Sequence, residues 1–133
     1  MDMSEPSERY KTGMKTRRAV LGAHYVDAAV AATDEFNADF QTLITESAWG
    51  SVWSRETISK RERSMLTIAL LAALGHHDEV SMHVRATKNT GASIDDIKEA
   101  LLHVAIYAGV PAANHAFKIA RTALAELDAE SKA

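Results

Sequence analysis

The stretch SKRERSMLTIALLAALGHHDEVSMHVRATKNTG, residues 59–91, decides the fold. Ser59 followed by Glu62 reads as a capping box, and the apolar run that follows carries a helix to Leu74 before Gly75 stops it. A second helix then covers about His77 to Asn89 and closes at Gly91. The same punctuation extends in both directions. Ser93 with Asp96 opens a helix to Tyr107, and Pro111 stands at the first turn of a last helix reaching about Leu127. Upstream, a basic helix of about Glu8 to Leu21 ends at Gly22, and another covers about Tyr25 to Ala32. Asp34 is a plausible cap for a helix to Ala48, with Phe36, Phe40, Leu43 and Ile44 as its apolar stripe. No β-branched alternation and no hairpin signal interrupts this pattern, so the fold class is all-α, with six to seven helices.

Composition narrows the functional classes. The chain has 133 residues with 47% apolar content, the size of one domain with a real core, read over 1–133 with its centre at 17–127. A formal charge of −3 gives no whole-chain field for nucleic acid or anionic lipid. The opening MDMSEPSERYK has no apolar run, the expectation being a cytoplasmic protein, and Met65–Leu74 and Leu101–Phe117 look like core helices rather than membrane spans. The tail AESKA reads as loose. There is no cysteine, which removes disulfides, zinc-thiolate sites and any thiol nucleophile.

Chemistry concentrates in GHHDEVSMHVRAT, residues 75–87. His76, Glu79 and His83 are three and then four residues apart, a spacing that stacks side chains along one helix face. A histidine beside a carboxylate suits proton transfer near neutral pH. Three such groups also suit a metal, although the His-Glu-x-x-His pattern is absent, and a solvated or core-satisfied polar face explains the same spacing. Arg61, Arg63 and Arg85 lie on the helices flanking the candidate site and suit an anionic substrate. His24, His103 and His115, taken singly, read as structural. Trp49 and Trp53 stand in WGSVWSRETI, read as a loop, where they either plug the core or line a pocket.

Residues 48–120 as a whole resemble the 4-carboxymuconolactone decarboxylase family. The resemblance is carried by W-x-R at Trp53 to Arg55, by E-x-x-x-H-V-R-A from Glu79 to Ala86, and by IKEALLHVAIYAGVPAAN from Ile97 to Asn114. RRAVLGAHYVDAA, residues 17–29, extends it upstream. The family shares its helical fold with the AhpD-like peroxidases, whose signature of Glu, Cys, Cys and His falls by spacing on Ser64, His76, Glu79 and His83. Only the histidine is kept, so the fold carries over and the thiol chemistry does not.

The resemblance implies a carboxy-lyase of protocatechuate breakdown that converts 4-carboxymuconolactone to the 3-oxoadipate enol-lactone without metal or cofactor. On that reading His83 is the acid and Glu79 its support, and His76 donates to the carbonyl oxygen. Arg85, Arg63 or Arg55, in that order, anchors the retained carboxylate, and Trp53 and Tyr107 wall the one that leaves. The substrate is a small lactone dicarboxylate, with neither nucleic acid nor membrane as partner and with a homo-oligomer, a hexamer, as the assembly. A non-catalytic or metal-dependent module of the same fold is the alternative.

Overall fold

A computed structural model describes residues 5–133. They form seven α-helices and one π-helical segment: α1 (Glu8–Leu21), α2 (Ala23–Ala31), α3 (Ala38–Ile44), the π-helix Thr45–Trp53, α4 (Lys60–Leu74), α5 (His77–Thr90), α6 (Ile94–Tyr107) and α7 (Val110–Ser131). No strand occurs among the described residues. The chain divides into two compact units between Ile58 and Ser59. The first four residues, read above with the polar start, lie outside the described residues.

In the first unit, α1 lies against the π-helix so closely that glycine is obligatory on both sides. A Cβ on Gly13 would sit 2.0 Å from the Thr45 carbonyl oxygen, and one on Gly50 would sit 2.6 Å from the Arg9 carbonyl oxygen. Arg17 is buried in this contact, donating to Gln41 Oε1 at 3.1 Å and to Thr45 Oγ1 at 3.3 Å. The Thr16 and Ser54 hydroxyls meet at 2.7 Å, and Ser7 caps α1 while donating to Glu46 at 2.5 Å.

Two expectations fail in this unit. The segment expected as a loop is helical through Trp53, and its buried residues Thr45, Trp49 and Trp53 recur every four positions. That spacing is wider than the 3.6 residues of an α-turn, and the Ser51 and Ser54 hydroxyls accordingly reach carbonyls five residues back, those of Glu46 and Trp49. Asp34, moreover, does not cap the helix. Its carboxylate accepts from the backbone N–H groups of Phe36 and Asn37, making a turn that delays α3 until Ala38. The apolar stripe therefore goes unburied, with Phe36 96% exposed and Phe40 and Leu43 also in solvent.

The second unit follows the sequence signals closely. Both capping boxes form, at Ser59 with Glu62 and at Ser93 with Asp96, and Gly75 and Gly91 end α4 and α5 in the left-handed conformation. Asp96 also accepts two hydrogen bonds of 2.7 Å from Arg61, which ties the start of α4 to the start of α6. The core joins Ile68 and Ala72 with Val80, Val84, Ile97, Leu101 and Val104. Against them α7 turns a face of Ala113, Ala116, Ala120 and Ala123, small residues that allow close helix approach.

The tail expected to be loose is the end of α7, which runs to Ser131. Arg85 holds it, reaching Glu126 at 3.4 Å and Glu130 at 2.5 Å.

Candidate active site

His76, Glu79 and His83 share a helical spacing but not an environment. His83 stands on the buried face of α5 with Val80, Val84 and Thr87, and is 6% exposed. Glu79 is exposed, and His76 is an exposed N-terminal cap whose side chain makes no capping hydrogen bond. The inward and outward faces of α5 separate here because Val80, which is fully buried, sets which side meets the core. Among the described residues no three His, Asp or Glu groups converge as metal ligands would.

Burial pushes the His83 imidazole down to about 4. At neutral pH it is uncharged, so the resting side chain is not an imidazolium. A neutral imidazole offers one N–H donor and one acceptor nitrogen, and in a poorly solvated site both act strongly.

The same unit buries three further polar residues in α4 and α5: Arg63, Ser64 and Thr87. Ser64, fully buried, shares a 2.7 Å hydrogen bond with Thr90 across the two helices, and Thr87 donates to the Val84 carbonyl at 2.6 Å. These hydroxyls are thereby engaged within the structure. Arg63 brings a positive charge that has been taken out of water. A buried cation of this kind suits a carboxylate, because desolvation strengthens the attraction and the guanidinium fork matches two oxygens.

The other expected substrate groups are distributed differently. Arg85, the first-ranked anchor, carries the ion pairs with Glu126 and Glu130 that raise its pKa, the hydrogen bond to Glu130 being the main cause. Tyr107 ends α6 at 86% exposure, its ring stacked on His103 with centroids 6.2 Å apart, so within this chain it walls no dry site. Trp53 and Arg55 belong to the first unit. There Trp53 is buried against Trp49, ring centroids 5.2 Å apart, and Arg55 lies in the exposed turn that follows.

One pair escaped sequence reasoning. His77 and His115 stack with centroids 4.7 Å apart and an interplanar angle of 21°, joining the first turn of α5 to α7. They are far apart in the chain, and no spacing rule links them.

An all-helical unit whose apolar core also buries a histidine and an arginine defines the class to which the chain belongs by its fold. The sequence pattern of the carboxymuconolactone decarboxylase family matches residues 38–122, and the chain belongs to that family. Over 120 residues, covering 90% of each chain, it is 44% identical to a 4-carboxymuconolactone decarboxylase of Acinetobacter baylyi. It is 39% identical to the nitrosuccinic acid decarboxylase npaB of Metarhizium robertsii over 102 residues, which are 77% of this chain and 71% of that one. A shorter match, 44% over 46 residues, joins 35% of this chain to 96% of a 4-carboxymuconolactone decarboxylase of Pseudomonas putida.

Proposed function

We propose that the protein is a carboxy-lyase that removes carbon dioxide from 4-carboxymuconolactone and releases the 3-oxoadipate enol-lactone, with His83 and Arg63 at the centre of its site. The departing carboxylate stands on a ring carbon vinylogous to the lactone carbonyl. When the carbon–carboxylate bond breaks, its electron pair moves through the ring double bond to the carbonyl oxygen. The dienolate formed is then protonated at the carbon next to the carbonyl, and one proton is consumed for each carbon dioxide released. The protein has two tasks: to stabilise the developing oxyanion and to deliver that proton.

The observation that carries this reading is the burial of His83, at the position of the histidine shared with the wider fold, in the same unit as the buried Arg63. Arg63 takes the carboxylate that stays. The incoming dianion favours the charged imidazole, so His83, neutral at rest, gains its proton as substrate binds and returns it to the dienolate. Glu79, exposed one turn before His83, supplies the proton relay to solvent, and His76 is the donor for the carbonyl oxygen. Arg85 serves as a strut for α7, and Arg63 replaces it as first choice for the anchor.

The assembly in this reading is a homo-oligomer, a hexamer. Its support is the apolar surface a single chain leaves in water: Phe36 in the turn before α3, Phe40 and Leu43 on α3, and Leu66, Leu70 and Leu74 on α4. Sedimentation showing a monomer at micromolar concentration removes it.

The deciding experiment follows the absorbance of 4-carboxymuconolactone with purified protein and chelator present. Steady loss of the lactone supports the proposal, and no loss above a heat-killed control overturns it. Nitrosuccinic acid serves as a second substrate in the same assay, since its nitro group is likewise an electron sink for the carbon that loses carbon dioxide.

A further inference from the structure

The second unit contains a hollow that the proposed site does not use. It lies between α6 and α7, has a volume of about 300 Å³, and His83 is not among its lining residues. Two helix faces of matching spacing form it. On α6 the sequence runs Ile94, Ile97, Lys98, Leu101, and on α7 it runs Phe117, Ala120, Arg121, Leu124. Each face thus sets one cation among apolar side chains. Ala120, a core residue, makes the space: a methyl stands between Phe117 and Leu124 where a larger side chain would fill the groove.

The floor is dry and the rim is charged. Leu101 is fully buried and Ala120 nearly so, whereas Ile94 and Phe117 stay partly exposed at the mouth. Lys98 has only an exposed 3.2 Å pairing with Asp95, three residues away on its own helix. No ion pair holds Arg121 among the described residues. No carboxylate lines the hollow. An apolar cleft of ligand size with two cations and no anion is complementary to a molecule with an apolar body and a single negative head.

We propose that this cleft is a second small-molecule site, which takes a monocarboxylate with an apolar body, its head on Arg121 and Lys98 and its body against Leu101, Ala120 and Phe117. An aliphatic chain and an aromatic ring share that chemistry. The site is independent of the lactone chemistry, and its test is a binding measurement on the whole chain.

Octanoate, 4-tert-butylbenzoate and the uncharged octan-1-ol are titrated into the protein by calorimetry. The expected result is one site per chain for at least one of the carboxylates, with a dissociation constant of roughly 0.1–1 mM, and at least tenfold weaker binding of octan-1-ol. The tighter carboxylate identifies the body as chain or ring. Arg121→Gln, a surface change, should weaken that carboxylate at least fivefold while lactone turnover is retained. Ala120→Leu should abolish binding by filling the groove. His83→Gln should leave carboxylate binding unchanged, which separates this cleft from the proposed active site. The proposal is overturned if neither carboxylate binds, as it would be with a second copy of the chain covering this face. Binding that Arg121→Gln leaves unaltered overturns it equally.

Discussion

The two units of this chain are held together by different physics. The second is a conventional apolar core, with Ile68, Val80, Val84 and Leu101 fully buried and a face of alanines on α7 closing over them. The first has few large aliphatic residues inside. It relies on glycines that bring two helical backbones into contact, on a buried Arg17 that donates to Gln41 and Thr45, and on a pair of tryptophans packed at a tilt. Apolar packing tolerates substitution if volume is kept, whereas backbone contact and a buried guanidinium tolerate almost none. The second unit is therefore the robust scaffold, and the first is the brittle part of the molecule.

The largest effect is expected at the chemical step. His83→Gln keeps volume and a hydrogen-bonding group at a buried position, and His83→Ala opens a cavity there as well. If His83 delivers the proton, either variant should lower lactone turnover by roughly 100-fold to 10,000-fold, about 3–5 kcal/mol of barrier. Circular dichroism should show His83→Gln folded. A folded His83→Gln with turnover within threefold of the parent would move the acid role to His76.

Next comes the brittleness of the first unit. Gly13→Ala introduces a Cβ where the nearest atom is a backbone oxygen 2.0 Å away, so α1 and the π-helix must separate. The expected loss is about 2–4 kcal/mol, read from a denaturant midpoint. A loss below about 0.5 kcal/mol would show that the two backbones can part without consequence, and the contrast between units would collapse.

A third test uses pH. His83 has a folded-state pKa of about 4 against an ordinary value near 6.5, so the unfolded chain binds more protons between these limits. Stability from this group is complete above about 6.5 and falls as pH drops toward 4, by up to roughly 3 kcal/mol. His83→Gln should flatten that slope. The kinetic counterpart is a separation of limbs: turnover at saturation should hold to higher pH than kcat/KM, because bound dianion raises the imidazole pKa and free protein does not. Coincident limbs would contradict proton uptake on binding.

How far the sequence could be read follows the same division. In the second unit, Ser59, Gly75, Gly91, Ser93 and Pro111 mark helix ends by local chemistry, and the structure keeps each of them. In the first, the π-helix and the delay of α3 depend on contacts with α1 and on the Asp34 turn, which no local period announces. The candidate site was legible as a set of residue types and illegible as geometry. Spacing aligned Glu79 with His83, but which flank of α5 meets the core depends on packing against α4 and α7, and that left Glu79 in water and His83 dry. The order that put Arg85 before Arg63 had no local signal to correct it, because the burial of Arg63 and the partners of Arg85 are both tertiary.

The smallest expected effect separates those two arginines. Arg85 is joined to Glu126 and Glu130 across the surface between α5 and the last turns of α7, a pairing that restrains the helix end and leaves no simple route to substrate. Arg85→Gln should therefore keep KM and kcat for the lactone within about threefold of the parent, under ~1 kcal/mol, while amide exchange quickens at residues 126–131 as α7 frays. Arg63→Gln, removing the proposed anchor, should raise KM by more than tenfold and leave exchange in α7 unchanged. The direction of the pair matters more than either value. If Arg85→Gln raises KM and Arg63→Gln does not, Arg85 must exchange its carboxylate partners for substrate, and the role of strut passes to contacts within α7 itself.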